Sequence, residues 1–317
     1  MFSNIDLALN VKASLAEGPC WNEKKQLLYW VDIMEKKLCI YNPTTNTNRV
    51  IALNQQIGCV VPYLEDVLLL AMEKGFYSIN INTEKLTHIF DPEPHLIENR
   101  FNDGKCDPAG RFWAGSTDTY GMNAAGSLYC LHHNLSVEKK VSHVNTSNGI
   151  AWSPDHTYFY FIDTPTKKVV RYQYNIRTGE IHNPSDVIIF SENDGLPDGM
   201  TIDEEGCLWI AHWGGSKITR WNPSTGEQIL SIPIPALYVT SCTFGGPNLT
   251  DLYVTTARTR MTIEINLLTE EMISTLKSIY KEWKELKVEI KELAYNIVRN
   301  ERHIRLKTNA ITFVIRK

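Results

Sequence analysis

Four oxygen-bearing side chains stand directly before a glycine in this sequence: Glu17 in EGPCW, Asp103 in NDGKC, Asn148 in NGIAW and Asp198 in DGMTI. Carboxylate and amide oxygens are ligands for the hard cations Ca²⁺, Mg²⁺ and Mn²⁺, and carboxylates also bind Zn²⁺. If these side chains meet, they predict a divalent metal site without histidine or cysteine. Taken singly, each is more often a turn, because Asn-Gly and Asp-Gly are common turn dipeptides.

A repeat of short apolar segments surrounds these residues. Each segment is rich in aromatic and β-branched residues, as a buried strand should be, and most follow a turn signal. Their centres lie about 40 to 48 residues apart, a period typical of propeller blades. The segments are LLYWVDI, VLLLAME, RFWAGS, YFYFIDT, CLWIAHW and DLYVTTA. The sequence therefore predicts an all-β fold, a six-bladed β-propeller that occupies residues 1–260.

The propeller explains why the glycine motif recurs. The innermost strand of each blade lines the central channel, so the residue at its start lies at the channel mouth. Two further repeats place Ile57 and Ser241 at this position. The glycine allows the backbone to come close to the axis or to adopt a positive φ. Four oxygen donors among six equivalent positions favour one shared site over four unrelated turns.

These segments resemble the SMP30, gluconolactonase and regucalcin family. The resemblance rests on LAEGPCW, RFNDGKCDPAGRFWAG, SNGIAWSPD, LPDGMTIDEEGCLWIA, TSCTFGG and LYVTTAR, which follow one another in the expected order. It implies a six-bladed propeller that holds one divalent metal ion at the channel mouth and hydrolyses sugar lactones. It also implies that Glu17, Asn148 and Asp198 bind that metal.

The resemblance assigns roles to further residues. Asn102 would lie at the open side of the metal, and Arg100 would contact the substrate, although spacing alone is equally compatible with a surface ion pair for Arg100. Asp198 would act as both metal ligand and catalytic base, since a carboxylate at the edge of the metal can accept a proton from water. Where the family often has a substrate-binding glutamate, this chain offers Asp118 and Tyr120.

The chain from residue 261 to 317 follows a different pattern. Apolar residues recur at alternating steps of four and three, which predicts a long amphipathic helix at about 269–299. These residues are Met272, Leu276, Ile279, Trp283, Leu286, Ile290, Leu293 and Ile297. The helix either docks on the propeller, mediates self-association or is helical but poorly ordered. Beyond it, NAITFVIRK at Asn309–Lys317 indicates a short strand that either closes the last blade or remains unpaired.

Composition excludes several classes of function. A net charge of −4 over 317 residues provides no broad basic surface for nucleic acid. The sequence shows neither a secretory leader pattern nor an apolar segment of about 18 residues, so we expect a cytoplasmic protein without membrane contact. Seven scattered cysteines without a C-x-x-C pair argue against disulfides and a zinc cluster.

Three functions fit these observations. A divalent-metal-dependent lactonase is favoured, with a small sugar lactone as its partner. The altered chain end instead favours a non-catalytic propeller that binds calcium or another ligand. A phosphotriester hydrolase would share the metal but differ in its pocket.

Overall fold

The computed structural model describes residues 4–120, 123–258, 260–263, 304–307 and 312–316. This part of the chain contains strands and two short 3₁₀ helices, η1 (Thr164–Thr166) and η2 (Glu192–Asp194), but no α-helix. It contains no helix long and apolar enough to cross a membrane. The strands are β1 (Asn4–Leu9), β2 (Ala16–Asn22), β3 (Leu27–Asp32), β4 (Lys37–Asn42), β5 (Thr47–Ala52), β6 (Ile57–Leu64), β7 (Val67–Met72), β8 (Gly75–Asn80), β9 (Leu86–Phe90), β10 (Asn99–Cys106), β11 (Phe112–Asp118), β12 (Gly126–Leu131), β13 (Val137–Val144), β14 (Ser147–Trp152), β15 (Tyr158–Asp163), β16 (Lys168–Asn175), β17 (Glu180–Ile189), β18 (Leu196–Ile202), β19 (Leu208–Trp213), β20 (Lys217–Asn222), β21 (Glu227–Pro233), β22 (Tyr238–Gly245), β23 (Asp251–Ala257), β24 (Arg260–Ile263), β25 (Ile304–Lys307) and β26 (Thr312–Arg316).

The strands form antiparallel sheets in chain order. The first four sheets are β2–β5, β6–β9, β10–β13 and β14–β17. The fifth sheet has eight strands, because the unit β18–β21 is joined to the unit of β22, β23, β26 and β1 where Trp213 on β19 pairs with Tyr238 on β22. These sheets belong to one compact unit, residues 1–257 with 309–317. Residues 258–308 form a second unit, in which β24 pairs with β25.

The predicted fold class, a six-bladed propeller with an added helical tail, is wrong as stated. In the described part of the chain the six repeats form five propeller sheets, since the last two units share one sheet. The rings of the joining residues, Trp213 and Tyr238, also pack against each other, with their centroids 4.5 Å apart and their planes tilted by 39°. The described residues of the tail are strands. The helix expected at 269–299, and self-association through it, lie outside the described residues.

The last strand of the chain closes the eight-stranded sheet. β26 lies between β23 and β1, so that Ile315 pairs with Leu252 on one side and with Ile5 on the other. Val314 is only 2% exposed and joins a cluster that contains Trp30 and Tyr253. Of the two alternatives for NAITFVIRK, the structure therefore has the closing strand, and the two ends of the chain pair within one sheet.

The apolar core lies between neighbouring sheets. One cluster joins the first and second sheets through Val31 and Leu70, and another joins the third and fourth, where the rings of Trp113 and Trp152 are 5.6 Å apart. Because no sheet buries both of its faces alone, the sheets stabilise one another, and their inner strands are held around a common axis.

The acidic residue in the second half of the repeated motif stabilises a turn. In DPAGRFW, the Asp107 carboxylate accepts hydrogen bonds from the backbone N–H of Arg111 at 2.8 Å and the indole N–H of Trp113 at 3.0 Å. In DEEGCLW, Asp203 bonds Cys207 and Trp209 in the same way, at 2.9 Å and 2.8 Å. Asp107 and Asp203 thus fix the turns that follow β10 and β18, which gives the acidic residue of the second half of the motif a structural role.

If β26 is essential to the closed sheet, truncating its buried side chain should destabilise the propeller. We expect Val314→Ala to lower the free energy of unfolding by about 1 to 3 kcal/mol, through lost apolar burial and the cavity left behind. Val50→Ala, at a position 46% exposed on the outer strand β5, provides the matched control. Urea denaturation measures both variants, and an equal effect of the two would contradict a buried closing strand.

Candidate functional site

Every residue predicted at the channel mouth lies at an irregularity in strand pairing. The register between the first and second strands shifts at the same place in all six units. Such a β-bulge removes residues from the hydrogen-bond ladder and redirects their side chains. The shifts fall at Glu17/Cys20, Ile57/Cys59, Phe101/Asp103, Ser147/Ile150, Pro197/Met200 and Val239/Ser241.

The glycines serve two different purposes at these bulges. Gly18 has a φ of +52°, a conformation that side chains disfavour. At Gly149, a Cβ atom would lie 2.9 Å from the carbonyl oxygen of Asp198 and 2.8 Å from Met200. Gly149 thus allows the strand that carries Asn148 to approach the strand that carries Asp198.

Two aspartates anchor the segments that lead into the inner strands. Asp32, at the end of β3, accepts hydrogen bonds from the N–H groups of Ser14 and Leu15 at 2.9 and 3.1 Å, just before Glu17. Asp163, at the end of β15, accepts the corresponding bonds from the segment before Asn148, at 2.8 Å from Thr146 and 3.1 Å from Asn145. Hydrogen bonds to backbone therefore hold the starts of both inner strands.

Three buried carboxylates interact at this end of the channel. Burial, and after it the charge of Asp103, raise the pKa of Glu17 to about 8. Burial and the charges of Glu17 and Asp103 raise the pKa of Asp198 well above its ordinary value. The pKa of Asp103 is also raised, mainly by burial. Packing these three buried groups together makes their ionised forms unfavourable.

The positive charges nearby offset this repulsion only in part. Burial lowers the pKa of Arg100 to about 10, although the charges of Glu17 and Asp198 favour its protonated form. Lys105 lowers the pKa of Asp103, and its ammonium donates a hydrogen bond to the carbonyl oxygen of Met200 at 2.8 Å. Burial nevertheless remains the largest influence on each of the three carboxylates. The cluster would gain from a further cation.

A chain of hydrogen bonds links the polar side chains of the site. Arg100 Nη1 donates to Asn102 Oδ1 at 2.7 Å, and Asn102 Nδ2 donates to Asn148 Oδ1 at 2.9 Å. Asn148 Nδ2 in turn donates to the hydroxyl of Thr164 at 2.7 Å. The structure thus brings together Arg100, Asn102 and Asn148, three of the predicted residues, across two neighbouring inner strands.

The donor set fits a divalent cation. Asp198 Oδ1 is buried without a hydrogen-bond partner among the described residues, which is costly for a carboxylate oxygen. A hard cation satisfies such an oxygen and neutralises the repulsion between Glu17 and Asp198. Within the described ranges, no group of three or more His, Cys, Asp or Glu side chains is arranged to hold a metal. The predicted set instead combines two carboxylates with the amide of Asn148.

The two residues suggested for substrate recognition differ in their surroundings. The buried Asp118, at the end of β11, accepts hydrogen bonds from the N–H groups of Tyr120 at 3.0 Å and Asn123 at 3.2 Å. Its carboxylate therefore stabilises the following loop. Tyr120 lies on that loop and is 70% exposed. Contact of either residue with substrate stays a prediction.

Two residues that sequence reasoning missed support the site. Thr164 bonds Asn148 and lies at the start of η1. Glu93 is buried and accepts hydrogen bonds at 2.9 Å from Asn99, Ser116 and Tyr129, next to the strand of Arg100. Neither stands in the glycine motif that marks the channel mouth, and most of their partners lie more than 15 residues away, so the spacing of that motif could not have identified them.

Comparison with known proteins shows the same architecture and motifs elsewhere. The model of the SMP-30/gluconolactonase/LRE-like region matches residues 15–258. The chain is 43% identical over 256 residues to the predicted sugar lactone lactonase YvrE of Bacillus subtilis. The aligned region covers 81% of this chain and 88% of that protein. The chain belongs to the SMP-30/gluconolactonase/LRE-like family.

Further relatives and solved structures agree with this family. Regucalcin of Xenopus laevis is 36% identical over 258 residues, covering 80% of this chain and 86% of that protein. The structure of a luciferin-regenerating enzyme has a TM-score of 0.80 and 28% identity, and the match covers 99% of this chain and 95% of that one. Regucalcin of Agrobacterium tumefaciens, described as a calcium-binding protein, shares the fold with a TM-score of 0.80 and 24% identity, covering 99% of this chain and 93% of that one. The resemblance seen in the motifs is thus confirmed.

The buried carboxylates predict an inverted pH dependence of stability in protein stripped of divalent cations. Because the folded-state pKa of Glu17 is raised from 4.5 to about 8, its contribution to stability is present at low pH and is lost as the pH rises through this interval. At pH 8 without metal, we expect Glu17→Gln to be more stable than wild type by on the order of 1 kcal/mol or more.

Thermal unfolding with and without added Ca²⁺ or Mn²⁺ measures this effect. Metal should raise the melting temperature of wild type but raise that of Glu17→Gln far less. Glu23→Gln, at an exposed position on the turn after β2, is the control and should behave as wild type. Equal stabilisation of Glu17→Gln and wild type by metal would remove Glu17 from the binding site.

Proposed function

We propose that this chain is a divalent-metal-dependent hydrolase that opens sugar lactones. The observation that carries the proposal is the Asp198 carboxylate, whose buried Oδ1 has no hydrogen-bond partner among the described residues and whose pKa the nearby charge of Glu17 helps to raise. A buried oxygen without a partner lowers the stability of the fold, but it can bind a cation or contact a substrate. The family membership and the name of the Bacillus subtilis relative support lactones as the substrate class.

Glu17, Asn148 and Asp198 would hold the metal. Their strands belong to different units of the propeller, so the metal site depends on the complete channel. When bound, a divalent cation supplies polarisation of the lactone carbonyl and acidification of water. The chain itself supplies the position of these donors, which the bulges, Gly149 and the anchoring aspartates determine.

Asp198 is proposed as the general base. Attack of water on the lactone carbonyl forms a C–O bond, the ring ester C–O bond breaks, the leaving ring oxygen takes up the proton that the water has lost, and the product is a hydroxy acid. The attacking water must lose a proton, which a carboxylate oxygen can accept when it lies at hydrogen-bond distance. Oδ1 of Asp198 has no partner in the described chain, and its two lone pairs would allow it to bind the cation and accept this proton.

Asn102 and Arg100 are proposed to orient the ester. The Asn102 amide is fixed by Arg100 on one side and by Asn148 on the other. Arg100 has a pKa of about 10, so it carries its positive charge at neutral pH and can stabilise negative charge that develops on the carbonyl oxygen. Asp118 and Tyr120 would contribute to recognition of the sugar hydroxyl groups from the loop after β11.

The non-catalytic alternative rested on an incomplete last sheet. β26 pairs with both β23 and β1, so this argument for impaired activity no longer applies. A calcium-binding propeller without turnover therefore becomes an outcome of the activity test, as does hydrolysis of a phosphotriester.

Hydrolysis of a panel of aldonolactones, with a phosphotriester alongside, tests the proposal. We expect lactone turnover that EDTA abolishes and added metal restores. Asp198→Asn should abolish turnover. Asn102→Ala should lower it about 10²- to 10³-fold while metal remains bound, because one orienting hydrogen-bond donor is lost.

Asp186→Asn is the control. Asp186 lies on β17, the outer strand of its sheet, and forms a surface ion pair with Lys168. It should keep wild-type turnover. Metal binding without lactone hydrolysis would favour the calcium-binding alternative, and faster turnover of the phosphotriester would identify the other hydrolase class. Unchanged hydrolysis by Asp198→Asn would exclude Asp198 as the base.

A further inference from the structure

Thr164 connects two of the proposed metal ligands. Its buried hydroxyl accepts a hydrogen bond from Asn148 Nδ2 at 2.7 Å and donates one to the carbonyl oxygen of Pro197 at 2.8 Å. Pro197 is the residue directly before Asp198. A single hydroxyl group therefore touches the Asn148 side chain and the backbone that carries Asp198.

The chemistry of Pro197 fixes the direction of this chain of bonds. A carbonyl oxygen can only accept, so the proton of the Thr164 hydroxyl must point toward it. The hydroxyl oxygen then has only lone pairs to offer Asn148. It binds the NH₂ end of that amide and turns the carbonyl end, Oδ1, in the opposite direction.

At the other end of this series of hydrogen bonds, the donors and acceptors point in the same direction. Arg100 can only donate, so it selects the carbonyl end of the Asn102 amide. The NH₂ end of Asn102 faces two acceptors, the carbonyl oxygen of Ser147 and Oδ1 of Asn148, both at 2.9 Å. A flipped Asn148 amide would lose its bond to Thr164 and place two NH₂ groups against each other.

We propose that Thr164 is a positioning residue for metal binding. Its hydroxyl selects the amide orientation in which Asn148 presents an oxygen, and not NH₂ protons, to the cation. The inference rests on the proposed metal site. An Asn oxygen has two lone pairs, so Oδ1 can accept the bond from Asn102 and still bind a cation.

Thr164 also tethers the strand that carries Asp198. The same arrangement recurs at the first unit, where the buried hydroxyl of Thr240 donates at 2.6 Å to the carbonyl oxygen of Ala16, the residue directly before Glu17. A hydroxyl from a different segment thus holds the backbone before each proposed carboxylate ligand. Only Thr164 contacts a ligand side chain in addition, so it carries the specific effect on the amide.

The first test measures Ca²⁺ and Mn²⁺ affinity by isothermal titration calorimetry. Thr164→Val keeps the shape of the side chain but removes the hydroxyl, and we expect metal affinity to fall about 10- to 100-fold, the usual effect of losing a residue that orients a ligand. Thr164→Ser should restore near-wild-type affinity. Thr164→Ala replaces Thr164→Val if the valine variant fails to fold.

Thr219→Val is the matched control. Thr219 is also fully buried, and its hydroxyl bonds His212 and Trp221 on strands away from the inner channel. We expect this variant to lose stability but to bind metal as wild type does. An equal loss of metal affinity in Thr219→Val and Thr164→Val would overturn the inference, because it would reduce the effect to general destabilisation.

A second test repeats Thr164→Val in the Asn148→Asp background. A carboxylate presents oxygen at both ends and needs no control of its orientation, so removing the hydroxyl should lower metal affinity less there than in the wild-type background, because only the bond to Pro197 is then lost. A merely structural role of Thr164 would give the same loss in both backgrounds and would overturn the inference. Wild type that binds neither Ca²⁺ nor Mn²⁺ would overturn the proposed function itself, whereas wild-type binding with an unaffected Thr164→Val would overturn the inference alone.

Discussion

The structure depends on the repulsion between buried carboxylates at the channel mouth. Glu17, Asp103 and Asp198 are buried at the starts of inner strands, and the charges of Glu17 and Asp103 raise the pKa of Asp198. Arg100 and Lys105 offset only part of this repulsion. Burying several carboxylates with too few positive charges is costly, and the cost is retained where it serves binding or catalysis. The divalent cation proposed above would neutralise this repulsion.

The rest of the propeller holds these charges in place. Apolar clusters between neighbouring sheets fix the inner strands around the axis, and a β-bulge at each channel-mouth position redirects one side chain out of the ladder. Asp32 and Asp163 hold the segments before two of the proposed ligands, Glu17 and Asn148. The hydrogen-bond chain from Arg100 to Pro197 then selects the orientation of each amide. Packing thus sets the position of the site, and hydrogen bonds decide which end of each amide presents its oxygen.

The sequence revealed the inner strands and their channel-mouth residues because both recur with the period of the repeat. Recurrence could not reveal the number of sheets, since the last two units are joined by one pairing, Trp213 with Tyr238, that depends on how two aromatic side chains pack. Nor could it decide whether residues 309–317 would pair, because strand order is a tertiary property. Thr164 was missed for a similar reason: its partners lie 16 and 33 residues away and share no motif with it.

The central claim is that one divalent cation binds between Glu17, Asn148 and Asp198. A crystal structure of the protein soaked in Mn²⁺, with anomalous diffraction data, tests it most directly. The account predicts one strong anomalous peak, about 2.0 to 2.5 Å from carboxylate oxygens of Glu17 and Asp198 and from Oδ1 of Asn148. A channel mouth without a peak, or a peak that contacts none of these three residues, would contradict it.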